Sequence, residues 1–253
     1  MIGSVHLDVV IGVALAAGMY VAAWRAGSEP IHPARAAAFA GALAGLLIAL
    51  NGPIHDLAEG ALFSAHMVQH LLLTLVVPPL LLAGLPTFMI DALLAPCLAR
   101  RAPRLVLRTL TRPVPALAVY TIVLVAWHLP GPYDAALRSH ALHISEHATL
   151  VGAALLAWWP VVSTSGRLPS LPYAAQILYL FAFGMPMTVV AAMITGAEHA
   201  LYPFYTAAPR ITALTALADQ RLGGVLMWVP AGIIPLVAFT AVFFRWAAAE
   251  SED

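Results

Sequence analysis

The sequence predicts an all-α protein. It reads as a polytopic membrane helical bundle of seven transmembrane helices, N-terminus outside and C-terminus cytoplasmic, in a single domain spanning 1–253. Three observations predict this. Of the 253 residues, 62% are hydrophobic and 9% charged, with mean hydropathy +0.89. Soluble domains carry about 25% charged residues, so this much apolar surface needs a bilayer as its solvent. Apolar runs long enough to cross recur along the chain, a crossing helix needing about 20 residues. The arginines, finally, are unevenly distributed between the loops.

Seven windows qualify: 6–25, 35–52, 63–84, 113–129, 143–162, 173–195 and 222–246. The first has no basic segment before it, so it reads as a retained helix and not as a signal peptide; the break Gly27-Ser28-Glu29-Pro30 follows it. The second ends at Asn51-Gly52-Pro53. The third contains Pro78-Pro79, which remove two backbone donors and predict a kink that splays its outer half. The stretch 86–100 is too short to cross and reads as a surface helix on the arginine-rich side. The fourth window closes on Trp127-His128-Leu129-Pro130, followed by Gly131-Pro132. The fifth ends before Ser165-Gly166-Arg167. The sixth leads into Tyr202-Pro203-Phe204-Tyr205, which would cover the outer mouth. At the seventh, Asp219 would cap the helix start, or line an outer vestibule with Gln220, and Gly223-Gly224 permit close backbone approach. Trp127, Trp158, Trp159 and Trp228 lie near helix ends, where an aromatic belt explains most of them.

Cations near helix ends stay in the cytoplasm. With the N-terminus outside, the inner segments hold Arg25, Arg35, Arg100, Arg101, Arg104, Arg108, Arg112, Arg167 and Arg245. The outer ones hold only Arg138, Arg210 and Arg221. The acidic tail Glu250-Ser251-Glu252-Asp253 is neutral in this comparison. Net charge is zero, so no basic surface points to nucleic acid. Cys97 is the only cysteine, which excludes an intrachain disulfide, a CxxC motif and a multi-thiolate metal site.

On this topology the histidines gather on one face. His6, His55, His66, His70, His128, His140, His143, His147 and His199 fall at outer helix ends or in outer loops, and only His32 falls inside. Histidines serving scattered core roles would divide between the faces. His66 and His70 stand at i and i+4 on one side of the third helix, and His140, His143 and His147 at i, i+3 and i+7 on one side of the fifth. His128 closes the fourth. A lone histidine at a helix end is usually an interfacial hydrogen-bonder. Two spaced clusters on one face point instead to a metal or redox site, because polar groups in membrane helices are expensive and mark function by default. Neutral imidazole suits copper, zinc, iron and nickel. Met67, between the paired histidines, and Met185, Met187, Met193 and Met227 would add soft donors for copper, although methionines in apolar helices ordinarily serve packing.

Other chemistries fit parts of this pattern. His143-Ile144-Ser145-Glu146-His147 has the H-x-x-E-H form of some zinc hydrolases, with the glutamate as general base. In a copper site Glu146 would instead orient an imidazole. Axial histidines on two helices would serve a heme b electron carrier. A copper permease would need ligands through the full depth, and the inner half offers only His32 and scattered methionines.

A set of motifs resembles the seven-helix CtaG family of bacterial cytochrome c oxidase assembly factors. It comprises Ser64-Ala65-His66-Met67-Val68-Gln69-His70-Leu71-Leu72-Leu73, then Pro78-Pro79-Leu80-Leu81-Leu82, Trp127-His128-Leu129-Pro130, the His143-to-His147 segment, Trp158-Trp159-Pro160, Leu201-Tyr202-Pro203, Asp219-Gln220 with Gly223-Gly224, and Met227-Trp228. The resemblance extends over roughly 45–232. It implies a multi-pass protein of the bacterial inner membrane, acting non-catalytically in the formation of active cytochrome c oxidase at the copper-loading stage. The implied partners are heme–copper oxidase subunits, the lipid bilayer and a periplasmic copper chaperone. It is distinct from the similarly named single-span copper chaperone, which uses cysteines. The functional positions carried over are His66, His70, His128, His143 and His147, with Glu146 and Asp219 nearby and His55 and His140 as weaker candidates. Residue chemistry, and not the resemblance, makes the five histidines the copper ligands, with His55, Met67, His140, Glu146 and Asp219 as supporting or additional groups; zinc and heme are the alternatives.

Overall fold

The computed structural model describes residues 3–27 and 30–251. Met1 and Ile2 at the start, Ser28 and Glu29 of the first break, and Glu252 and Asp253 of the acidic tail lie outside the described residues. Among the described residues the chain is helical, with no strand.

The first helix, α1 (Leu7–Ala26), runs antiparallel to α2 (Pro33–Leu50), and a short helix, α3 (Gly52–Gly60), follows. Next, α4 (Phe63–Leu71), a π turn over Leu72–Val76 and α5 (Val77–Gly84) run on as one helix of 22 residues. Two helices, α6 (Thr87–Ala99) and α7 (Arg101–Leu110), lead to α8 (Pro113–His128), with a bend of 80° between α7 and α8. After α9 (Pro130–Arg138) comes α10 (His140–Val162). A second composite helix of 24 residues is made of α11 (Tyr173–Phe183) and α12 (Met185–Gly196). The chain ends with α13 (Pro203–Ala207) and α14 (Ala216–Glu250).

Five of these helices are long and apolar enough to cross a membrane: α1, α2, α4–α5, α11–α12 and α14; the bent pair α7–α8 makes a sixth. At 23 residues, α10 is long enough, but His140, His143, Glu146 and His147 in its first turns lower its hydropathy. The outward faces are apolar: Ile11 on α1 is 57% exposed and Leu236 on α14 is 60% exposed. Such coats on several helices suit contact with lipid, where every backbone group is already paired within its helix.

Several expectations need correction. At the Pro78-Pro79 pair, expected to kink the third helix, the chain stays helical and a π turn lies just before it. Pro78 cannot donate to the Thr74 carbonyl, and Trp158 Nε1 on α10 donates to that oxygen instead, at 3.0 Å. Trp158 and Trp159 are therefore core residues, each buried with its indole N–H on a carbonyl, and not part of an aromatic belt. The stretches after Asn51 and Leu129 read as breaks but begin helices, because a proline near the first helical position has no N–H to waste there. The arginine-rich segment holds a second helix, α7, beyond the one expected near 86–100. The last helix starts six residues earlier than the seventh window, at Ala216. Its cap is Thr215, whose hydroxyl accepts from Ala218 N at 3.1 Å, not Asp219.

Asp219 does something more consequential. It is fully buried and reaches across to the start of α4, where its carboxylate accepts from Phe63 N at 2.7 Å, Ser64 N at 3.3 Å and Ser64 Oγ at 2.5 Å. The residue preceding α4, Leu62, offers no side-chain cap. A carboxylate from a neighbouring helix thus satisfies the exposed N–H groups and faces the positive end of the helix dipole. Gly223, one turn further on, allows this approach: a Cβ there would overlap the Phe63 ring.

Candidate metal centre

The histidines of α4 and α10 meet at one end of the bundle, beside residues of α3, α9 and α13. The first turns of α4 supply His66 and His70, and the first turns of α10 supply His143, Glu146 and His147. The i,i+4 spacing places both α4 imidazoles on the face toward α10. One ligand atom from each of His66, His70, Glu146 and His147 can be chosen so that all four lie within 4.8 Å of one another. All four residues are buried, His66 and Glu146 completely. His66 Nε2 and His70 Nε2 are 2.8 Å apart. Glu146 oxygens lie 3.5 Å from His70 Nε2 and 3.9 Å from His66 Nε2. Donors around a tetrahedral first-row ion at Zn–N distances would stand about 3.3 Å apart, so the observed spacings need only small shifts to close on one ion.

The hydrogen bonds around His66 fix its tautomer. Tyr205 Oη on α13 donates to the Ala58 carbonyl at 2.6 Å and lies 3.0 Å from His66 Nδ1. Its one proton is committed, so His66 Nδ1–H must donate to it, which leaves a lone pair on His66 Nε2 facing the cluster. Both Glu146 oxygens and His147 Nε2 have no protein hydrogen-bond partner. A carboxylate in such a place needs a proton or a cation.

His143 stands beside the four rather than among them. Its ring is 4.2 Å from that of His147 and 5.7 Å from that of His66, centroid to centroid. Its Nδ1 is 2.7 Å from Glu59 Oε1 on α3, while Nε2 is buried without a partner. Glu59 therefore orients His143 as carboxylates commonly orient metal-ligating imidazoles. Gln69 Nε2 lies 3.0 Å from His55 Nδ1, and His55 Nε2 lies 3.3 Å from Glu59. Both His55 nitrogens are thereby committed to supporting roles. Burial pushes the His55 imidazole below its usual pKa against the pull of Glu59, so it meets Glu59 as a neutral N–H donor. Burial would raise the Glu59 carboxyl, but the His143 hydrogen bond and the neighbouring imidazoles outweigh it and hold it below its usual value.

The other expected positions lie outside this four-donor group. His128 ends α8 with its ring 5.5 Å from His70, outside the four-donor group. Met67 is fully buried on another face of α4, against Gly223. His140 is exposed at the mouth. Asp219 holds α4 in place. Sequence reasoning missed Glu59 and Tyr205 as partners of the histidines. The His55/Glu59 i,i+4 pair was the available signal for the first; Tyr205 was visible only as part of a segment covering the mouth.

Fold and cluster together define a helical membrane protein with an imidazole–carboxylate site buried near one end. A family model described as cytochrome c oxidase caa3 assembly factor (Caa3_CtaG) matches residues 16–249, and the chain belongs to that family. Similar curated proteins include uncharacterized proteins of Mycobacterium bovis and Mycobacterium tuberculosis, each 25% identical over 254 residues, and one of Mycobacterium leprae, 27% identical over 207 residues. The first two matches take in 94% of this chain and 38% of the relative; the third takes in 74% and 30%. The chain thus spans well under half the length of these relatives. No solved structure matches it.

Proposed function

We propose that this assembly factor holds copper in the cluster of His66, His70, His147 and Glu146 and helps to metallate a heme–copper oxidase, acting as a chaperone and not as a catalyst. The observation that supports this reading is the Glu146 carboxylate. It is fully buried, has no protein donor on either oxygen, and lies beside His66, His70 and His147, with the His66 Nε2 lone pair turned inward by the Tyr205 contact. A cation would satisfy all of these groups at once. His143, held by Glu59, lies where a fifth donor or an incoming ion would pass, and His128 lies on the other side of His70.

The topology that suits this role has seven spans: α1, α2, α4–α5, α8, α10, α11–α12 and α14. The N-terminus and the cluster would be on the periplasmic side of the bacterial inner membrane, and the arginine-rich α7 would be cytoplasmic. In that arrangement the site would receive copper from a periplasmic chaperone and face the oxidase domain that needs it.

Elemental analysis of purified protein beside the His66→Ala/His70→Ala variant tests the reading. Copper lost with the two imidazoles supports it; full copper in the variant ends it. The same donors accept zinc. Zinc without copper, together with a hydrolytic activity abolished by Glu146→Gln, would replace the chaperone reading. A Soret band in the purified protein would replace it with heme b. Normal oxidase activity in a clean deletion strain would remove the assembly role.

A further inference from the structure

Beside His70, a small cavity of about 10 Å³ lies among α4, α8, α10, α12 and α14. That is close to the smallest space that holds one water molecule or ion. Its walls include Met67, Met187 and Met227 from three different helices, together with His70, Thr74 and His128. The three methionines are all buried, at 0%, 3% and 2% exposure.

His128 is the informative member. Its Nδ1 is 2.7 Å from the Leu124 carbonyl. A carbonyl only accepts, so Nδ1 carries the proton and Nε2 carries a lone pair. That Nε2 is buried and has no hydrogen-bond partner, and His128 itself is 6% exposed. An apolar packing role would leave this acceptor costly and unexplained. Three thioethers and an imidazole lone pair around a space for one ion form an all-neutral, mostly soft donor set. Such a set favours Cu(I) over divalent ions, and a single positive charge is cheaper to desolvate than two. The outer cluster differs in kind: its donors are imidazoles and a carboxylate.

We infer that this cavity is a second metal site, selective for Cu(I), with His128 Nε2 and the sulfurs of Met67, Met187 and Met227 as donors. The inference does not depend on copper occupying the outer cluster. His70 forms the wall between the two sites, so an ion leaving one meets the other within a single imidazole ring.

The test is anaerobic titration of the detergent-purified full chain with Cu(I), read by stoichiometry and by X-ray absorption at the copper edge, with a parallel Zn(II) titration. The expected result is sulfur ligation in the wild-type protein. In Met187→Leu/Met227→Leu, Cu(I) capacity falls by one equivalent and the sulfur signal is lost, while Zn(II) binding is unchanged. Leucine is close to methionine in volume and tolerated in cores, and retained zinc binding shows that the variant is folded. Wild-type Cu(I) bound through nitrogen and oxygen alone would overturn the inference, as would a variant that keeps its full Cu(I) capacity and sulfur signal. His66→Ala/His147→Ala, which leaves the cavity wall intact, separates the two proposals: sulfur-ligated Cu(I) that survives in it supports the second site even where the outer one fails.

Discussion

Replacing Glu146 by glutamine should move metal affinity and metal-free stability in opposite directions. The side chain keeps its shape and loses its charge. In the metal-free protein that charge is a liability, since both oxygens are buried without donors. Keeping the charge carries a desolvation penalty of several kcal/mol, and taking up a proton at neutral pH instead costs about 4 kcal/mol for an ordinary carboxyl; an unpaired amide costs about 1–3 kcal/mol. Metal-free Glu146→Gln should therefore be more stable by about 1–2 kcal/mol, or a few degrees in Tm at about 2–4 °C per kcal/mol for a chain of this size. The metal-bound protein loses a direct anionic donor. Removing mere supporting partners costs 10–100-fold in affinity, so at least about 100-fold is expected here. At a metal concentration of 100 times the wild-type Kd, binding stabilises the wild-type protein by about 2.7 kcal/mol. With Kd raised 100-fold, the same metal adds only about 0.4 kcal/mol. Thermal unfolding in detergent, with and without metal, reads both quantities. A glutamine variant with lower metal-free Tm and an undiminished metal-induced shift would show that Glu146 is a structural partner of the imidazoles, and the metal-site reasoning would fall.

Other residues give further tests. Asp219→Ala strips the partners from two buried N–H groups at the start of α4 and should destabilise by about 2–6 kcal/mol at about 1–3 kcal/mol per orphaned group; an unchanged Tm would mean α4 does not depend on this cap. Tyr205→Phe removes the acceptor that fixes the His66 tautomer and should weaken metal binding about 10-fold or more, measured by chelator competition; unchanged affinity would refute the orienting role. At the N-terminal segment, Asp56 accepts from Gly3 N, Ser4 N and Ser4 Oγ. The Ser4 hydroxyl is the chief cause of an Asp56 carboxyl lowered to about 2, from 3.8. The sign follows: this tether is fully present above about pH 4 and is lost as pH falls through about 2. Amide exchange at Gly3 and Ser4 should therefore accelerate only in that window; acceleration between pH 5 and 7 would assign the tether to another group.

The hydrophobic runs made the helices legible because a lipid-facing helix must be apolar along its whole length. What they left out was determined by tertiary contact. Pro78-Pro79 predict a kink, but not that Trp158, distant in sequence, occupies the carbonyl that Pro78 abandons. Trp158 and Trp159 look like interfacial anchors until their indole N–H groups are seen paired in the interior. Gly52-Pro53 and Pro130 look like punctuation, yet each starts a short helix over the cluster. The histidine spacings identified the right faces of α4 and α10. They could not tell which imidazoles converge, because that depends on the relative depth of the two helices.

That depth is set largely on α4. Asp219 from α14 holds its first N–H groups, Gly223 lets α14 close on Phe63 and Met67, and Trp158 from α10 pins the turn where the helix widens. Tyr205 from α13 reaches the same helix at His66. Four contacts from three other helices thus fix the rotation and height of the segment that presents both His66 and His70. A π turn sits directly after this segment, between Leu72 and Val76, and such turns occur often at functional sites. Its extra residue shifts the inner half of the helix relative to the outer half, so the histidine turn can meet α10 while Val77–Gly84 packs against α2. The position of the imidazoles is therefore a property of the whole bundle. Substitutions at Asp219, Gly223 or Trp158 should change metal affinity without touching a ligand, whereas equally destabilising substitutions on α1, which packs chiefly on α2, should not.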